Sequence, residues 1–81
     1  MKKLSHKTAI FLKSEALKMI NYGGRKQILE ATFNNERTYQ YLHVPEKIWM
    51  EFLTAIQAGE SAGAFINQKI KPFYDCVELT E

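Results

Sequence analysis

Residues 39–70 read YQYLHVPEKIWMEFLTAIQAGESAGAFINQKI, and the whole fold can be built outward from them. Tyr39, Tyr41 and His43 alternate with Gln40, Leu42 and Val44, the period of a strand, which we expect over Thr38–Val44. Pro45 then suits the first turn of a helix, where its missing N–H has no partner to lose. Ile48, Trp49, Phe52, Leu53 and Ile56 recur at helical spacing and form one apolar stripe. Gly59 closes that helix. Ser61 is the expected N-cap of a second one, whose Phe65, Ile66 and Ile70 extend the buried surface until Pro72 stops it.

Upstream, Ala16–Tyr22 and Gln27–Phe33 read as paired strands around the Gly23-Gly24 turn signal, with Leu29, Ala31 and Phe33 on one face. Asn34, Asn35, Glu36 and Arg37 form a polar loop back to the aromatic strand. Residues 73–79 alternate well enough for a last short strand. The order predicts an α+β fold, a small antiparallel sheet of three or four strands covered on one face by two short helices. Residues 14–81 are one domain. Residues 1–13 form a basic arm, in which Ala9–Leu12 are apolar enough to dock as an extra strand or a short helix.

An 81-residue chain buries only about 60% of its unfolded surface, so it makes one thin core. Single Cys76 excludes an internal disulfide and points to a reducing, cytoplasmic setting, and we expect it as a small buried residue of the last strand. No apolar run approaches a membrane span, and a membrane partner is not expected. Net charge is +2 but unevenly spread. Residues 1–26 hold seven lysines and arginines against the lone acid Glu15, whereas residues 27–81 hold four against eight acids. Such asymmetry suits an anionic partner or a solvated tail.

The aromatic strand carries the main ambiguity. A four-residue hairpin loop would set Phe33 opposite Thr38 and leave Tyr39 and Tyr41 on an open face beside Ile28, Glu30 and Thr32. A five-residue loop would set Phe33 opposite Tyr39 and pack both rings beneath the helices. On an open face the rings could stack bases, at about 1–3 kcal/mol each. Lys18, Arg25, Lys26 and Arg37, in or beside the same hairpins, would neutralise phosphates, with His43 on the tyrosine face. Catalysis has little to rest on. His6, His43, Asp75 and Cys76 fall in no HExxH or CxxC spacing, and neither enzyme nor cofactor is expected.

Tyr22, Phe33, Tyr39 and Tyr41, the pair Val44-Pro45, and then Gly59, Ser61, Gly63, Phe65 and Asn67 occur in an order that resembles the KTSC domain from about Ser14 to Tyr74. That module, marked by a Tyr-x-Tyr motif leading into Val-Pro, is seen at the C-terminus of some lysyl-tRNA synthetases and as stand-alone small bacterial proteins. The resemblance implies the sheet-and-two-helix fold and, through the tRNA-handling enzyme, RNA as a ligand. This chain departs from the pattern at Glu36, where a small residue is expected, and at Gly59, which stands for Ala. The acid at Glu36 counts against phosphate binding.

Two functions follow as expectations. The first is a non-enzymatic module binding RNA or another nucleic acid through Lys18, Arg25, Lys26, Arg37, Tyr39, Tyr41 and His43. The second is a protein-interaction module, docking a partner or a second copy through the open sheet face, an edge strand, or the outer side of the first helix at Lys47, Met50 and Glu51.

Overall fold

The computed structural model describes residues 9–12 and 16–79, and within them the elements follow the expected order with one strand more. Strands β1 (Ile10–Phe11), β2 (Leu17–Gly23), β3 (Ile28–Phe33) and β4 (Thr38–Tyr41) precede helices α1 (Glu46–Gln57) and α2 (Ala62–Phe65), and β5 (Cys76–Leu79) closes the chain. The five strands form an antiparallel meander in the order β1-β2-β3-β4-β5. Ala9–Leu12 therefore supplies the extra strand rather than a helix; the rest of the expected N-terminal arm, residues 1–8 and 13, lies outside the described residues.

Pro45 sits at the N-cap of α1, one position earlier than expected, and its carbonyl accepts from Ile48 N–H at 3.0 Å. Gly59, at φ +84°, turns the chain out of the helix as its position predicts. Ser61 caps α2, its hydroxyl accepting from Ala64 N–H at 3.2 Å. The second helix then widens into a π-helical turn, Ile66–Ile70, where Lys71 N–H donates to Ile66 O at 2.7 Å. Ile66 and Ile70 both reach the core through that turn. Gly63 lies against Ala16, just before β2, with room for a side chain, since a Cβ there would stand at an ordinary contact distance of 3.6 Å from the Ala16 methyl.

One face of the sheet carries Ile20, Leu29, Ala31 and Tyr41 into a core shared with Phe52, Ala62, Ile66 and Ile70. Stacked rings tie its layers together. Tyr22 lies 5.4 Å from Trp49, Phe52 lies 4.7 Å from Phe65, and the Tyr22 hydroxyl donates to Val44 O at 2.6 Å. A register shift between Leu17 and Met19 puts Leu17 on the core face and Met19 on the other.

The β3–β4 hairpin corrects the loop length. Phe33 N–H donates to Arg37 O and Glu36 N–H to Phe33 O, so the loop holds three residues, Asn34, Asn35 and Glu36. This is a type I turn closed by a left-handed residue, here Glu36 at φ +69°. A side chain at that φ costs about 1 kcal/mol, more than the exposed Lys18–Glu36 ion pair at 2.9 Å returns. Glu36→Gly should raise stability by about 0.5 kcal/mol and Glu36→Val lower it by about 1 kcal/mol or more, read from urea unfolding midpoints. Equal midpoints for both variants would remove the strain argument.

Candidate functional site

The three-residue loop decides where the Tyr-x-Tyr pair points. Its register sets Ala31 opposite Tyr39 and Leu29 opposite Tyr41, so both rings share the helix-covered face. Tyr41 is only 4% exposed, and Tyr39, half-buried, meets Phe33 edge-on at 5.6 Å. The open-face placement is thereby corrected. Parity follows the alternative with the rings beneath the helices, although by a shorter loop than either length considered. Tyr41 has no ring face left for stacking a base.

Burial, then the charges of Cys76 and Tyr39, push the Tyr41 hydroxyl up from 10.0 to about 12. The Tyr22 hydroxyl is raised too, by burial and then by Glu46. In the unfolded chain a tyrosine ionises near 10, before the folded Tyr41 does. The stability Tyr41 contributes is therefore whole below about pH 10 and lost as pH rises through about 12. Urea midpoints should fall across that window, and Tyr41→Phe should flatten the fall, leaving the part due to Tyr22. An unchanged slope in the variant would assign the alkaline loss elsewhere.

The basic residues do not converge. Arg25 and Lys26 occupy the β2–β3 turn, and Val44 N–H, donating to Gln27 O at 2.8 Å, brings exposed His43 to that same end of the sheet. His43 is not on the tyrosine strand: β4 ends at Tyr41 and His43 turns away at φ +59°. Lys18 and Arg37 lie at the opposite end, beside the β3–β4 hairpin. The six residues of β3 between them span roughly 20 Å. Lys18 is engaged by Glu36. The Arg37 guanidinium is held above its ordinary pKa first by a hydrogen bond with Tyr39, then by the Glu78 carboxylate.

The other sheet face holds a polar layer that strand alternation alone would expose. Asn21, Glu30, Thr32, Thr38 and Gln40 are all buried there. Gln40 Nε2 donates to Glu30 Oε1 at 2.9 Å, and the Thr32 and Thr38 hydroxyls pair at 3.0 Å. Cys76, expected in the core, is exposed, because β5 is the outer strand of the sheet. Among the described residues, no group of three or more His, Cys, Asp or Glu side chains could hold a metal ion, and no helix is long and apolar enough to cross a membrane.

A groove of about 690 Å³ runs between α1 and the second helix. Its walls include Lys47, Met50 and Glu51 from α1 and Ala64, Phe65 and Lys69 from the facing segment. Met50 is 56% exposed, one of four large apolar side chains, with Phe11, Phe73 and Val77, left in water among the described residues. Sequence reasoning had singled out Lys47, Met50 and Glu51 on one wall. It missed the other, because nothing in the helical stripe tells how α2 lies against α1.

Comparison with known proteins agrees with this fold. The KTSC domain family matches residues 13–74, with the tyrosine strand and both helices inside the match. The chain belongs to the KTSC domain family. A KTSC domain protein of Yersinia pestis, solved by crystallography, superimposes with a TM-score of 0.78 at 30% identity, over 89% of this chain and 96% of that one. A curated protein of Tsukamurella paurometabola is 34% identical over 68 residues, 84% of this chain and 96% of its own. The KTSC match begins at Lys13, so β1 lies outside it, as does β5.

Proposed function

We propose that this KTSC domain is a non-enzymatic interaction module that seats a segment of a protein partner in the groove between α1 and α2. The exposure of Met50 in the lining of that groove carries the reading. A flexible thioether adapts to different apolar anchors, and a volume of this size lies within the range of ordinary binding clefts. Each wall has both charge signs, Lys47 and Glu51 on α1 against Glu60 and Lys69 opposite. The fitting partner is an amphipathic segment with an apolar anchor and charges of both signs on its flanks.

A photo-crosslinking residue at position 50, in cells of the native host, should join the domain to one discrete protein. Excess wild-type domain should compete that adduct away, whereas an Ala64→Arg domain, its groove obstructed, should not. The same crosslinker at position 57, at the exposed end of α1, should capture nothing comparable. Adducts that survive competition, or that are equal from both positions, would count against the groove.

Nucleic-acid binding is the second reading, supported by the grouping of Arg25, Lys26 and His43 at one end of the sheet. It is a weaker, purely electrostatic version of what the sequence suggested, without stacking on Tyr41. Fluorescence polarisation of a short labelled single-stranded RNA tests it. Affinity indifferent to salt, or unchanged by Arg25→Ala with Lys26→Ala, would end it.

A further inference from the structure

Strand β5 pairs with β4 along one side and is exposed along the other, with Cys76, Val77 and Glu78 all open to solvent. Which backbone groups face outward follows from the ladder. Leu42 N–H donates to Asp75 O at 2.8 Å, in the register that continues as Gln40 opposite Val77 and Thr38 opposite Leu79. Hydrogen-bonded positions alternate in an antiparallel pair, so Asp75, Val77 and Leu79 turn their backbone toward β4. Cys76 and Glu78 turn theirs away from the sheet. The opposite edge is blunted, since β1 has only two residues.

We propose that β5 pairs antiparallel with β5 of a second copy across a two-fold axis, Val77 facing its own counterpart. Outward groups must meet outward groups, which leaves few registers. Glu78 against Glu78 sets like charges directly opposite and is disfavoured. Cys76 against Cys76 leaves Glu78 to pair beyond the end of the strand, with Tyr74. With Val77 on the axis, Cys76 of each copy faces Glu78 of the other, and every outward N–H and C=O of the strand is used. Each acid then faces an uncharged residue, Glu78 opposite Cys76 and Asp75 opposite Leu79. Glu78 also has Arg37 beside it in its own chain, which lowers the charge brought to the interface. The exposed apolar surface of Val77, 38% accessible, is covered by the same step. A two-fold dimer, whose interface sets one patch against its own copy, is the commonest closed oligomer.

The register makes a specific test. Val77 and its counterpart form the close, non-hydrogen-bonded pair, with Cα atoms about 4.5 Å apart, within disulfide reach. In a Cys76→Ser background, Val77→Cys should oxidise to a covalent dimer several-fold faster than Gln57→Cys, an exposed site on α1. Glu78→Pro removes an outward N–H, and with it the carboxylate beside Arg37, and keeps the β4–β5 ladder, a substitution an edge strand accommodates. Light scattering should show a dimer for the parent and a monomer for Glu78→Pro, with matching unfolding midpoints at concentrations low enough for both to be monomeric. Val77→Cys oxidising no faster than the control, or a dimer persisting in Glu78→Pro, would overturn the interface. Met50→Asp, in the groove, should leave the dimer intact, so this proposal and the groove reading fail separately.

Discussion

Tyr41→Ala is expected to destabilise the domain by about 3–4 kcal/mol, because a large ring at 4% exposure is removed from a core too small to close around the cavity. A chain of this length has a total stability of roughly 4–12 kcal/mol, so the variant should lose about 12–32 °C in melting temperature or fail to fold at all. Tyr41→Phe, which keeps the ring and its packing, should cost far less at neutral pH. A surface stacking residue would behave oppositely, its alanine variant folding normally and losing only ligand. Thermal unfolding followed by circular dichroism separates the cases, and a Tyr41→Ala domain melting within a few degrees of the parent would return the ring to the surface. The Tyr-x-Tyr motif by which a KTSC domain is recognised is on this argument half structural. Tyr41 fills the core, while half-buried Tyr39 links the Phe33 ring to Arg37 at the hairpin.

Phe52→Ala should be at least as severe, with a loss of about 3–5 kcal/mol. Phe52 is fully buried at the centre of α1, stacked on Phe65 at 4.7 Å and set edge-on to Trp49 at 6.1 Å. Each aromatic contact adds about 0.5–1.5 kcal/mol beyond burial, and both vanish together. Phe52 joins the two helices to each other as well as to the sheet. Its loss should therefore disorder both walls of the groove, and urea unfolding of Phe52→Ala should show a lower midpoint and a reduced slope as native packing loosens. Phe52→Leu should recover about half of the loss by refilling the volume. Equal midpoints for Phe52→Leu and Phe52→Ala would mean that volume is not what the site supplies. If the groove is the working surface, partner capture through position 50 should fall in step with these midpoints.

Reading along the chain was reliable wherever structure is set by neighbours in sequence. Pro45, the spacing of Ile48, Trp49, Phe52, Leu53 and Ile56, the turn at Gly59 and the cap at Ser61 specify two helices without reference to anything distant. The alternation of Leu29, Ala31 and Phe33 identifies a strand and the side of it that the helices cover in the same way. These signals also carried the resemblance to KTSC, so family and fold class were legible from the sequence.

Tertiary structure alone decided what each face and edge would meet. The hairpin holds a left-handed residue that is Glu36 rather than glycine, so its loop length had no local mark, yet that length sets the side of the sheet for both tyrosines. Lys18, Arg25, Lys26 and Arg37 lie in or beside the hairpins that carry the aromatic strand but fall at opposite ends of the sheet, because strand direction spreads residues that a linear reading groups. Cys76 is exposed only because β5 comes last in the sheet order, and the second wall of the groove exists only once α2 packs beside α1. Local sequence determines element type through backbone and side-chain periodicity. Which surfaces remain free is settled by register and packing between residues far apart in the chain, where a shift of one position exchanges the inside for the outside.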